Sequence, residues 1–263
     1  MLQRHAQLLE DLYIRYNRAR YVSPDPLELV RRYRRDDDRE VAGLLAACLA
    51  YGRVAQILRS VGTVLDRLGE HPAQRVGGLD DAGLAEVTRG LRHRFADHTH
   101  IGGLLRSAGL IRREYGSLGE CFGDCYQRRQ DAREALADFA ALLRDRAGAD
   151  LGHLVPDVTR GSACKRLWLY LRWMVRSDQV DLGCWAGLSP ANLMVPLDTH
   201  MHRIARQLGA TSRRAADWRT ASEITAAFAA IRPDDPVRYD FVLTRLGIHP
   251  QLRHIHLPGL ILN

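Results

Sequence analysis

Lysine is almost missing from this 263-residue sequence: of 38 basic residues only Lys165 is a lysine, and the other 37 are arginines. Cysteine is scarce and odd in number, at positions 48, 121, 125, 164 and 184, mostly within helical patterns, which suits a reducing compartment rather than a disulfide framework. Only Cys121 and Cys125 lie close together, and two thiols make an incomplete zinc site. No cysteine follows Cys184 in this sequence, which excludes a four-cysteine iron-sulfur cluster in its last third. No apolar run approaches the ~20 residues of a membrane span. The opening segment MLQRHAQLLEDLYIRYNRAR is charged and amphipathic, without the apolar block of a signal peptide, so a cytoplasmic protein with no membrane partner is expected. Sustained period-two runs of β-branched residues and internal repeats are also missing, which argues against a large sheet and a solenoid.

What is present is ordinary for a globular protein, 46% hydrophobic and 26% charged, with a net charge of +7 that suits a partner made of phosphates. The imbalance between the two basic residue types carries more. Guanidinium stays charged and is a poor nucleophile, so arginine cannot replace a lysine whose amine must lose its proton and attack an electrophile. A chance surface lysine is the plain alternative for Lys165.

Apolar spacing at i, i+3, i+4 recurs throughout, as in Val41, Leu44, Leu45, Cys48 and again in Leu136, Phe139, Ala140, Leu143, and predicts an all-α fold. Helices are expected over 4–20, 39–51, 54–68, 98–114, 131–147, 163–176, 199–208, 217–230 and 236–246. Breakers fall at 21–26, 69–72, 146–162, 176–190 and 231–236. The fourth, RSDQVDLGCWAGLSP, joins two strong helices around a buried-looking Trp185 and is expected to be an interdomain crossing with a short helical turn. The charge run RRYRRDDDRE is expected at solvated helix ends or turns.

Two elements could carry chemistry. RGSACKRLWLYLRWMV enters a helix through Gly161 and Ser162, with Ser162 the expected N-cap and Lys165 in the first turn. On its wheel Leu167, Tyr170, Leu171 and Met174 form a core stripe, while Lys165, Trp168 and Arg172 share the opposite side, an expected cationic and stacking surface. In MVPLDTHMHRIARQLG, Met201, Ile204, Ala205 and Leu208 form a core stripe and Asp198 stands at the helix mouth, a favoured N-cap. One carboxylate oxygen can cap the helix while the other faces a cleft.

At these residues the sequence resembles the helix-hairpin-helix DNA glycosylase superfamily. Its members carry a lysine at the start of the hairpin's second helix and an aspartate in a downstream Val-Asp-Thr-His segment. Lys165 in GSACKR matches the lysine and Asp198 in PLDTHMHRIARQLG the aspartate, 33 positions further on (198 − 165). That separation is longer than in the endonuclease III branch and similar to the archaeal 8-oxoguanine glycosylase branch; the whole chain also looks like a poorly characterised bacterial family related to it. The resemblance covers about residues 39 to 250. It implies two helical lobes with a cleft between them, a middle lobe (39–175) ending in the lysine helix, and a second lobe (1–38 plus 176–263) carrying the Asp-Thr-His helix.

It further implies base excision repair: a DNA glycosylase and abasic-site lyase, with 8-oxoguanine the guessed base and Lys165 and Asp198 catalytic. The partner is double-stranded DNA with a damaged base, the protein a nucleoid-associated monomer without cofactor or metal. Trp168, Trp173 and Phe95 are the expected pocket walls, with Arg172 and His200 as further DNA contacts. Tyr51 or Arg53, in LAYGRVAQ, is expected to fill the gap left by the extruded base. The sequence departs from the superfamily's Leu-Pro-Gly-Val-Gly hairpin: LVPDVTRGSACK keeps a Val-Pro and one glycine before the lysine, leaving Gly161, Ser162 and the first free N–H groups of the next helix to hold a phosphate.

Three alternatives stand beside this. A glycosylase for another lesion, such as an alkylated base, has the same motifs. A DNA-binding protein could keep the fold without catalysis. The pairs His98 with His100, His200 with His202 and His254 with His256 suggest a metal-dependent hydrolase, but residues two apart on a helix point ~200° apart and do not easily share an ion.

Overall fold

The computed structural model describes residues 2–252; His254 and His256 lie outside them. Thirteen α-helices and one two-stranded hairpin are present among the described residues, and the fold is all α. All nine expected helices form: α1 (Ala6–Tyr16), α3 (Asp36–Cys48), α4 (Val54–Leu68), α7 (His98–Tyr115), α9 (Ala132–Asp145), α10 (Lys165–Val175), α11 (Thr199–Gln207), α12 (Trp218–Ala229) and α13 (Asp240–Ile248). Four more come from segments without an expected helix: α2 (Leu27–Val30), α5 (Pro72–Gly78), α6 (Asp81–Thr88) and α8 (Leu118–Arg129). The first three are short, and α5 starts where GEHP reads as a breaker, because Pro72 occupies a first-turn position that needs no N–H. In α8, Ser117 accepts from Glu120 N while Leu118, Cys121, Phe122 and Cys125 form a buried stripe at helical spacing.

The strands β1 (Arg92–His93) and β2 (Ala96–Asp97) pair antiparallel around a two-residue turn, Arg94-Phe95, and run straight into α7, whose cap is Asp97. Two-residue strands leave no alternation to read.

Helix α10 is the central element. Leu167, Trp168, Tyr170, Leu171, Arg172, Trp173, Met174 and Val175 are all buried, so it is surrounded rather than amphipathic. It crosses α3 closely, because Gly43 lets the backbones approach: a Cβ there would stand 2.9 Å from Met174 Cε and 3.2 Å from a Tyr170 ring carbon. The buried faces join one continuous hydrophobic core.

The expectation for the charge run is corrected at two residues. In DDDRE, Asp38 and Glu40 are buried, not solvated. Asp38 accepts from Ala73 N at 3.0 Å, capping α5, and Glu40 accepts from Leu118 N and Gly119 N (3.0 Å each) and from Trp185 Nε1 at 2.7 Å. The crossing 176–190 is thereby fastened, with Trp185 buried and stacked on Phe122, and its helical turn is Pro190–Asn192. The ends of the described chain meet: α1 contacts α13, Tyr239 donates to Glu10 at 2.9 Å, and Arg245 pairs with Asp25. The cysteines are free and, apart from half-buried Cys184, buried.

Candidate functional site

The left-handed region is entered twice just before α10, at Gly161 (φ 81°) and at Cys164 (φ 44°). Cys164, not Ser162, occupies the N-cap position; the Ser162 hydroxyl instead accepts from Cys164 N at 3.2 Å. That corrects the expected cap; Lys165 is the first helical residue. Gly161 and Ser162 are exposed, and Gly161 O accepts from Trp218 N at 2.9 Å. Ahead of them Asp157 caps a 3-10 turn, Val158–Arg160.

Asp198 caps α11, its Oδ1 accepting from Met201 N at 2.8 Å. The other oxygen, Oδ2, lies 3.2 Å from Lys165 Nζ, with the two side chains 25% and 32% exposed respectively. A lone amine and a carboxylate, far apart in the chain, thus face each other where solvent reaches both. They open into a cavity of about 570 Å³ whose walls come from the turn after α3 (Tyr51, Gly52), the start of α4 (Val54, Ile57), Arg166 and Leu169 of α10, His200 of α11 and Ile248 of α13. A smaller cavity of about 90 Å³ adjoins the pair and is bordered by Trp173, Phe241, Arg172 and Asp240.

Charge around the pair is fixed from beneath. Arg172 pairs with Asp240 and with Asp181, at 3.1 Å in the latter case, and Arg176 pairs with Asp178, Asp181 and Asp235. Burial pushes the Asp240 carboxyl up to about 6, against the pull of Arg172, and the neighbouring charges of Asp198 and Lys165 act on it in opposite senses. Burial likewise brings the Arg245 guanidinium down to about 10.

The expected stacking surface on α10 is corrected. Trp168 and Arg172 are buried, Arg172 in its carboxylate cluster, with α3 and the segment that follows α10 packed on the helix; they form no exposed stacking surface. Trp173 is buried too and reaches only the small cavity. Phe95 is no pocket wall: it stands 73% exposed on the hairpin turn. Arg53 is exposed at the N-cap of α4 and does not line the cavity, whereas Tyr51 does, its hydroxyl donating to His93 O at 2.9 Å. His200 lines the cavity and His202 turns away to Arg213 O at 3.0 Å. Among the described residues no His, Cys, Asp and Glu gather as a metal site.

Sequence reasoning missed Arg166, Asp25, Leu169, Arg245 and Ile248 as cavity walls. Arg166 adjoins the motif lysine, a signal that could have found it; it donates to Cys48 O at 2.6 Å and to His153 O and lies over the Tyr51 ring. Asp25 and Arg245 are 220 positions apart, and nothing local marks them.

A second cavity, of about 380 Å³ beside Glu40 and Trp185, has the look of a site, but the carboxylate there is used up by two backbone N–H groups and the indole.

The fold and the site therefore define an all-α protein with an open lysine and aspartate pair. The chain belongs to the family described as "Protein of unknown function (DUF2400)", which residues 25–249 match. No curated protein and no solved structure matches the chain.

Proposed function

We propose that the protein is a DNA repair glycosylase that excises a damaged base and cleaves the resulting abasic site through Lys165. The observation that carries the reading is the 3.2 Å approach of Lys165 Nζ to Asp198 Oδ2 inside an open cavity. An amine meant only for a structural ion pair has no need of a cavity of about 570 Å³ in front of it. In this reading the fold is the two-lobed helix-hairpin-helix glycosylase arrangement, 39–175 against 1–38 plus 176–263, and the cavity is its cleft. The partner is double-stranded DNA and the protein works at the nucleoid.

The target nucleotide rotates out of the duplex, since its glycosidic bond cannot be reached in the stack. Deprotonated Lys165 gives its lone pair to the sugar C1′; the bond from C1′ to the base breaks, and the base leaves with that electron pair and takes up a proton. Ionised Asp198 stabilises the positive charge on the sugar and accepts a proton from the amine. Opening of the sugar ring leaves a Schiff base; loss of a C2′ proton then expels the 3′ phosphate, and water releases the lysine. His200 and Tyr51 border the extruded nucleotide, and exposed Gly161 and Ser162 lie where a flanking phosphate would meet the N–H groups leading into α10. The base is assigned as 8-oxoguanine, from resemblance to the archaeal branch alone.

Duplexes carrying oxidised, alkylated or deaminated bases, incubated with borohydride, test this. One lesion is expected to yield a covalent protein–DNA complex with wild type and none with Lys165→Gln. Equal trapping by Lys165→Gln would remove lysine from the mechanism. If no lesion is processed while damaged duplex is still bound, the chain is a binder that kept the fold.

A further inference from the structure

Trp173 Nε1, Asp240 Oδ1 and Arg245 Nε are buried polar atoms without a hydrogen-bond partner among the described residues, and all three residues border the same cavity of about 90 Å³. The residues are 1%, 4% and 4% exposed, closed to bulk water. Buried polar atoms are rarely left alone, and three around one small space point to something that joins them. The neighbouring atoms of the same groups are already engaged. Asp240 Oδ2 accepts from Arg172, and the Arg245 guanidinium donates to Pro24 O at 3.1 Å and pairs with Asp25.

Two of these atoms are N–H donors and the third is a carboxylate acceptor, so whatever sits between them must accept and donate at once. An anion there would meet the like charges of Asp25, Asp198 and Asp240, and a cation those of Lys165, Arg172 and Arg245, which all border the cavity. Water has neither problem and satisfies all three atoms. A space of about 90 Å³ has room for two or three water molecules at ~30 Å³ each. Because Lys165 and Asp198 share these walls, the chamber runs from the reactive pair to the inner carboxylate.

A second carboxylate meets a need of the proposed reaction. Asp198 cannot keep the amine's proton and also remain the anion that stabilises the sugar. The charged groups around Asp240 are Lys165 and Arg172 of α10, Asp198 at the mouth of α11, Arg245 of its own helix and Asp25 ahead of α2, with Asp181 sharing Arg172. Held at about 6 by burial, the Asp240 carboxyl is ionised at neutral pH yet takes up a proton readily. We infer that water in this chamber carries the proton released by Lys165 to Asp240, a positioning residue that thereby keeps Asp198 ionised. The inference rests on the glycosylase reading for the reaction it serves. As Nζ attacks, it gives a proton to the nearest water, and the water chain gives one to Asp240 Oδ1; each water is restored and the carboxylate becomes a neutral acid. The proton returns along the same path when hydrolysis frees the amine.

Because Lys165 is the only lysine, reductive methylation with ¹³C-formaldehyde gives a single ε-dimethylamine signal by NMR. Without DNA, its chemical shift is expected to show a step near pH 6 that Asp240→Asn abolishes and Asp240→Glu keeps. No step in wild type, or a step that persists in Asp240→Asn and so belongs to another group such as His200, overturns the link between Asp240 and the amine. In single-turnover base release, wild type should speed up as pH rises through about 6. Asp240→Asn should lack that rise and run about ten-fold slower at neutral pH, with duplex affinity unchanged. The same rate and pH profile in both overturns the relay. The NMR step without base release from any lesion fails the glycosylase reading and keeps the water-linked pair. Should Asp240→Asn not fold, Trp173→Phe, which removes one N–H from the chamber and keeps a ring, should shrink the NMR step and slow base release about three-fold; no change in either overturns the relay.

Discussion

Because Asp198 Oδ1 accepts from Met201 N while Oδ2 faces Lys165, a substitution can remove one role and spare the other. Asparagine caps helices as well as aspartate. Asp198→Asn should therefore melt within ~1 kcal/mol of wild type, the worth of a partly exposed ion pair. Under the proposed function, base release should nonetheless fall ~100-fold or more, because the charge assigned to stabilise the sugar is gone. Asp198→Ala should lose a further ~0.5–2 kcal/mol with the cap. Thermal melting beside single-turnover kinetics separates the two; full activity in Asp198→Asn would reduce the residue to its cap. Lys165 stood out in the sequence as a lone lysine among arginines, and the structure places it on the wall of the cavity, facing Asp198. Trp168 and Arg172 were misread because a wheel shows which residues share a face but not how many neighbours cover it.

Helices α10, α11 and α13 converge on the site, and each delivers one charged group near its start: Lys165, Asp198 and Asp240. Asp240 is the inner one. Its folded value of about 6 lies above the ~3.9 of an unfolded aspartate. The native state therefore holds the proton more tightly, contributing stability that is fully present below ~3.9 and lost as pH rises through about 6. Relative to Asp240→Asn, which cannot titrate, wild type should gain melting temperature steadily as pH is lowered from 7 to 4. A difference that stays flat over that range would show the carboxyl to be unperturbed. Arg172 keeps Asp181 as a partner in the variant, so the buried guanidinium is not left alone. The nine longer-patterned helices were legible because burial of one face imposes a 3.6-residue period. Helix α8 could have been found from Ser117 followed by Glu120, while α2 and the Arg92–Asp97 hairpin are too short for any period to show.

Over the molecule as a whole, 38 basic against 31 acidic residues leave +7, yet many arginines are spent internally, on carboxylates as at Arg172, Arg176 and Arg245 and on carbonyls as at Arg166. Under the proposed function, the remainder sets the pull on DNA. If about six phosphates are contacted, duplex affinity should fall ~10³-fold between 50 and 200 mM salt. Lys165→Gln should leave that slope nearly unchanged, since Lys165 faces Asp198 in the cavity and is not assigned to a phosphate. Equilibrium binding across a salt series checks this; a salt-independent affinity would speak against phosphate as the main partner. None of the helices among the described residues is long and apolar enough to cross a membrane.

The all-α class and the bounds of most helices were written in the chain, since periodicity and caps are local properties, whereas the pairing of the lone lysine with the Asp-Thr-His segment was an expectation from the family resemblance. Which residues surround that pair was not written there. Asp25 with Arg245, Tyr51 with His153 and Asp240 near Lys165 meet across long stretches of chain, because tertiary packing decides which arginine is buried and which aromatic is left in water. Phe95 shows the difference most plainly: its identity is in the sequence, and its exposure comes from a hairpin held by His93, Ser60 and Tyr51.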